Sequence, residues 1–456
     1  MKLKSFYCLF CLALFASANA FAQAGLDFFV KAEELRNARQ YAPALEMYAK
    51  ALEKEPNKYE YKFKQCGCFS DAQRYEDALK CYLELRKVNA KDLLVAEQIG
   101  SIYRLLGKNT ESIAAFEECV KLAEDKGQKF IYKNFIIEML LLDGKVSQVE
   151  PHLKEAKKYM PENDEIFYLE ARFYNAMGKF KQAAEAAGTV VKRRGSEEQS
   201  EELNKFLYEL AYANHMLGLY DLSKESIAKI TPGPPFDIKL KEMSADFYCS
   251  AAEAYYSIFE FSKALELLEI SLKIDEKHAK SIELKTKIEK SPSPGNEISN
   301  INKNLPKTPP AQQKGMYAKL ALLYYKQGDF DNALSSANQY LSMDPRNTSI
   351  IFIRGLASHK VNDNDEAENV LQNLGNTPKV EPRVKLQALF ALGMVQKNTN
   401  QLALAKKSFK KAKRGPFESA AKYEIRDINL KLRQSGDAAG EEPEDDKSDD
   451  KEGDEK

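Results

Sequence analysis

The chain has 456 residues, 44% of them hydrophobic and 30% charged, with no Trp, and its 68 basic side chains balance 68 acidic ones. A neutral total excludes a polycationic nucleic-acid binder, and this apolar content excludes a chain disordered from end to end. The length suits about three ordinary domains or one long repeat array.

Residues 1–24 read as a secretory signal: Lys2 and Lys4 start it, Phe6 to Phe15 is apolar, and Ala22-Gln23-Ala24 offers a small-x-small cleavage site. Cleavage after Ala24 is the first choice and after Ala20 the second. The apolar run is too short to span a bilayer, and no later segment does better, so no membrane span is expected. Export is the expected address, periplasm first and secretion second. Five Cys follow the signal: Cys66, Cys68, Cys81, Cys119 and Cys249. An odd number argues against a disulfide framework and leaves one reversible disulfide open. Cys66 and Cys68 sit two apart on a predicted helix, so their side chains point about 200° apart and do not form a ligand pair.

From Gly25 onward the chain repeats itself. Tyr41, Ala44 and Tyr48 return 34 residues later as Tyr75, Ala78 and Tyr82, and a third unit keeps the register with Gly100, Tyr103, Gly107, Phe116 and Cys119. A fixed interval of this length marks one supersecondary unit that must stack on its neighbours to bury its apolar face. Small residues let two antiparallel helices approach while large ones fill the grooves beside them. Later units carry Gly144, Gly178 and Gly218, then Phe259 at the matching turn position, then Gly328. The step from Phe259 to Gly328 is two periods plus one, so a degenerate repeat lies between.

The expected organisation is a block of about seven repeats plus a half repeat over 25–290 and a Pro/Asn-rich linker at 291–313 with no regular second helix. A block of about three repeats over 314–415 follows, then a capping helix at 416–436 with Ala421, Ile425, Ile428 and Leu432 on its apolar face. The segment 437–456 reads as a disordered acidic tail. Charge follows this plan: 25–436 holds 63 basic and 57 acidic residues, or +6, and the tail holds 3 and 11, or −8.

This landmark pattern resembles the tetratricopeptide repeat, a helix-turn-helix unit of 34 residues. The resemblance implies an all-α, right-handed superhelical solenoid whose concave groove is lined by first-helix side chains. Carried over, those are Phe29, Glu33, Tyr168, Arg172, Asn175, Tyr208, Tyr212, His215, Glu253, Tyr256, Tyr325 and Phe352. Tyr supplies large contact area at low entropic cost, which suits a partner-binding groove. The Lys and Asn set with which chaperone-binding members clamp a peptide carboxylate is missing at these positions, so that activity is not carried over.

Catalytic signatures are missing too. His152, His215, His278 and His359 lie far apart in sequence without ligand spacing, and no zinc, phosphate-loop or nucleophile-elbow motif is present. The expectation is a non-enzyme with no cofactor and no metal. Lys406, Lys407, Lys410, Lys411, Lys413 and Arg414 form a basic patch. With an export signal and no net basic charge, nucleic acid is not its expected partner; the patch reads first as a solvated helix face and second as a docking surface for an acidic partner, for which the chain's own tail competes. The expected function is a protein-binding scaffold of the cell envelope. A polysaccharide-export or glycan-binding accessory is the rival, and a holdase-type chaperone the third reading.

Overall fold

A computed structural model describes residues 25–194 and 201–435, and every regular element among them is helical. The expected signal and acidic tail lie outside these residues. Compactness divides the chain after Phe173. The first unit contains α1 (residues 25–37), α2 (Tyr41–Lys54), α3 (Tyr59–Asp71), α4 (Tyr75–Val88), α5 (Leu93–Leu105), α6 (Asn109–Leu122), α7 (Lys126–Leu142), α8 (Val149–Tyr159) and most of α9 (Asp164–Ala176). The second contains the end of α9, then α10 (Phe180–Arg194), α11 (Glu201–Met216), α12 (Tyr220–Ile227), α13 (Phe236–Lys241), α14 (Ala245–Ser257), α15 (Phe261–Ile274) and α16 (Ala279–Glu289). It continues with α17 (Gly295–Asn304), α18 (Pro310–Gln327), α19 (Phe330–Met343), α20 (Thr348–Lys360), α21 (Asn364–Asn376), α22 (Pro382–Asn398), α23 (Leu402–Ala412) and α24 (Glu418–Ser435).

One backbone device makes the repeat. The turn between first and second helix carries a left-handed residue at Arg39, Gln73, Gly107, Gly144, Gly178, Gly218, Phe259, Gly328, Asn362 and Asn400. In nearly all of these turns the following N–H closes back across six residues, as when Asp329 donates to Tyr324 O at 3.0 Å and Gln401 to Gln396 O at 2.8 Å. That six-to-one bond satisfies a carbonyl the helix end would otherwise leave open, and it requires positive φ at the residue before it. Seven residues before the turn a small residue lets the second helix close in. A Cβ on Gly100 would sit 3.1 Å from the Phe116 ring, and one on Gly393 only 2.6 Å from the Phe409 ring.

Two features differ from the sequence-based expectation, and a third decides what it left open. The 291–313 segment, expected as a linker, contains α17, whose Ile298 and Ile301 pack with Leu320 and Leu323 of α18. Its prolines do not prevent this, because Pro294 and Pro309 precede helices and Pro310 opens one, positions where a missing N–H costs no hydrogen bond. The compact division falls after Phe173 rather than at 291–313. Finally, Cys66 and Cys81 form a disulfide joining α3 to α4 with Cα atoms 5.4 Å apart, while Cys68, Cys119 and Cys249 are buried thiols. Burial pushes the Cys68 thiol up to about 11 and that of Cys119 to about 12, which keeps both unreactive.

Candidate functional site

In the first unit, exposed aliphatic side chains recur in the repeat register. Leu26, Leu94 and Ile131 each stand thirteen residues before their turn residue, and Leu105 and Leu142 stand two before theirs. All five are between 43% and 61% exposed. Eleven residues separate the two positions on α5 and on α7, which is three helical turns, so both lie on one face of their helix. Charged links between neighbouring first helices border this row. Arg36 donates to Asp71 at 2.6 Å, the Tyr132 hydroxyl to Glu97 at 2.8 Å, and Arg172 approaches Glu138 at 4.0 Å.

Several residues assigned to the groove are spent on internal packing. Phe29 stacks on Tyr61 at 4.3 Å between ring centroids, and Glu33 accepts a hydrogen bond from the Tyr48 hydroxyl. Arg172 lies over the Tyr168 ring at 5.4 Å, and both are half-buried. Asn175 is buried and donates to the Glu209 carboxylate at 2.7 Å. Tyr325 is buried beside Phe259 and Phe330, and Phe352 lies in the core. For Asn175, Tyr325 and Phe352 the expectation of an open groove is corrected: neighbouring elements already cover these side chains. Glu253 is exposed, and Lys287 covers the half-buried Tyr256 ring at 5.0 Å.

Tyr208 and Tyr212 stack at 6.3 Å, with Phe236 against the first and Phe180 against the second. His215 is buried, its Nε2 2.6 Å from the Tyr248 hydroxyl. Burial, and then the nearby Arg426 guanidinium, pull the His215 imidazole down to about 4. Burial raises the Tyr212 phenol, and Arg426 pulls it partly back.

Arg426 belongs to α24, which the sequence assigned only to covering the last repeat. It does pack on α23 and buries Ala420, Ala421 and Ile428 completely, but it also runs along the first helices of earlier repeats. Glu424 is buried and accepts from the Tyr255 hydroxyl of α14 and from Lys397 of α22. Asp427 pairs with Lys397 at 2.7 Å, Lys422 with Glu242 at 3.4 Å, and Arg433 donates to the Ala176 carbonyl at 3.2 Å. Helix α24 thus meets the end of α9, α14 and α22 as well as the second helices α15 and α23. The tyrosine row of the second unit therefore has a helix beside it already.

The basic patch divides between a helix and a connection: Lys406, Lys407, Lys410 and Lys411 lie on α23, whereas Lys413 and Arg414 follow its end. Lys406 is half-buried and the other five are exposed. Among the described residues no His, Cys, Asp and Glu group could hold a metal, and no helix is long and apolar enough to cross a membrane.

Comparison with known families finds tetratricopeptide repeats in this chain: residues 96–126, 386–414 and 318–379 match the models of that repeat. No curated protein matches the chain significantly. Among solved structures, YrrB, a TPR protein described with an unusual peptide-binding site, is 14% identical at a TM-score of 0.30, covering 52% of this chain and 97% of that one. The C-terminal part of a TPR repeat-containing protein from Cytophaga hutchinsonii is 14% identical at 0.35, covering 71% and 98%. Yeast Tom70 is 13% identical at 0.25, covering 91% and 98%.

Proposed function

We propose that this tetratricopeptide-repeat chain is a non-enzymatic scaffold of the cell envelope that binds a partner polypeptide on its first unit. The observation that carries this reading is the exposed set Leu26, Leu94, Leu105, Ile131 and Leu142, in register on the first helices α1, α5 and α7, with the charged Glu60 and Asp71 at the same positions of α3 between them. Aliphatic side chains at this spacing suit the apolar face of a polypeptide segment, and the charges beside them fix its orientation. The first helices of the second unit offer no equivalent row: their matching positions include Lys205, Asp246 and Gln387. An exported location is supported by the residues of the 1–24 segment and by the Cys66–Cys81 disulfide, which persists best outside the reducing cytosol.

Photo-crosslinkers placed at Leu94 and Ile131 in the native cell are expected to capture the same protein, and Leu94→Asp with Ile131→Asp should abolish that capture. Lys407→Glu with Lys411→Glu should leave it intact. Equal capture by all variants would rule out the first unit as the binding face.

A further inference from the structure

Within each repeat, second helices close onto first helices through Gly or Ala against Phe, Tyr or Leu, as at Gly100–Phe116 and Gly393–Phe409. The contact of α24 with the second unit shares that apolar core through Ala420, Ala421 and Ile428 and adds polar pairs to it. Arg426 lies 5.5 Å from the Tyr423 ring and 6.0 Å from Phe247, and reaches the Tyr248 hydroxyl at 3.5 Å. Lys263 of α15 lies over Tyr423 at 5.1 Å, and Lys397 takes both Glu424 and Asp427. Tyr and Arg anchors are enriched in interfaces between separate partners. The partners here are distant in sequence: 169 residues separate Tyr255 from Glu424. A short segment around the left-handed Gly415 is the link between α23 and α24.

We propose that the tyrosine-lined face of the second unit is a helix-binding site occupied in cis by α24, and that it accepts in trans an amphipathic helix of the same order. Such a helix presents an acid to Lys397 and Tyr255, an Arg two residues later to the Tyr248–Phe247 cluster, and an aliphatic residue two after that, as Glu424, Arg426 and Ile428 do. The proposal is independent of the partner face on the first unit, and its test does not involve those residues. Tethering gives α24 an effective concentration of about mM order, so a free helix of equal affinity competes poorly until α24 is weakened.

The probe is a labelled peptide of residues 418–435, titrated into the unmodified full chain and into a full-length variant with Lys422→Ala and Arg426→Ala. The variant is expected to bind the peptide at least ~10-fold more tightly than the unmodified chain, and a peptide with the Arg426→Ala change is expected to bind neither. Failure of the helical, folded variant to bind, or equal binding of both peptides, overturns the proposal and makes α24 a fixed part of the core. If the variant does not fold, hydrogen exchange on the unmodified chain decides: α24 amides exchanging at least ~10-fold faster than those of α22 support release, and equal protection overturns it.

Discussion

His215 shows how far a residue's surroundings can depart from its pattern. The repeat register places it on a binding face, yet its imidazole is buried between Tyr220 of α12 and Tyr248 of α14, with Arg426 of α24 nearby. Its folded value of about 4 lies below the unfolded value near 6.5. The unfolded chain therefore takes up a proton first as pH falls, so this contribution to stability is complete above about pH 6.5 and is lost progressively down to about pH 4, by at most about 3 kcal/mol. Urea unfolding of the wild type and of His215→Gln at pH 7.5 and pH 4.5 checks this: the gap between the two pH values should shrink in the variant. An unchanged gap would assign the acid sensitivity to other groups. The turn residues teach a related lesson. Gly107 and Gly328 mark their turns openly, whereas Gln73 and Phe259 adopt the same left-handed backbone with side chains that do not announce it. The turn-closing bonds from Arg74 N–H to Phe69 O and from Glu260 N–H to Tyr255 O hold them there against a cost of about 1–2 kcal/mol.

At the scale of the helix pair, contact is decided by one small residue against one large one. Gly393 faces Phe409 so closely that a methyl group at that position cannot fit without moving the ring. Phe409 is fully buried beside Phe390, which leaves the ring little room to retreat. Gly393→Ala is therefore expected to destabilise the protein by about 1–3 kcal/mol despite the better helix propensity of Ala. Thermal unfolding followed by circular dichroism measures it, and a rise in Tm would show that α22 and α23 can separate cheaply. The same scale explains α17. Its prolines looked like breakers because a proline inside a helix removes a bond, but at a helix start it removes none, and Ile298 and Ile301 then supply an apolar stripe.

For the whole molecule, the proposed export and the disulfide stand together. The intact mass of the native protein is the check: the expected species begins after Ala24 and is lighter by two hydrogens than its reduced form. A native chain retaining residues 1–24 with free Cys66 and Cys81 would overturn the location. Partner capture by the first unit and helix exchange by the second are likewise properties of the assembled chain, because each face is built from several repeats and no single helix pair contains it.

The sequence by itself determined the repeat. Turn residues, small residues and aromatic residues are local requirements of a helix pair, so Tyr41, Ala44 and Tyr48 and their copies could be read without any distant contact. It also carried the in-register aliphatic row, once Leu94 and Ile131 are counted back from Gly107 and Gly144. Only the tertiary structure decided where α24 goes. Its apolar face was legible in Ala421, Ile425 and Ile428, but an amphipathic stripe says that a helix must be covered and not by what. The pairing of Glu424 with Tyr255 spans 169 residues, and its register depends on how all the intervening repeats stack. For the same reason Asn175, Tyr325 and Phe352 looked open in the pattern and are closed in the fold.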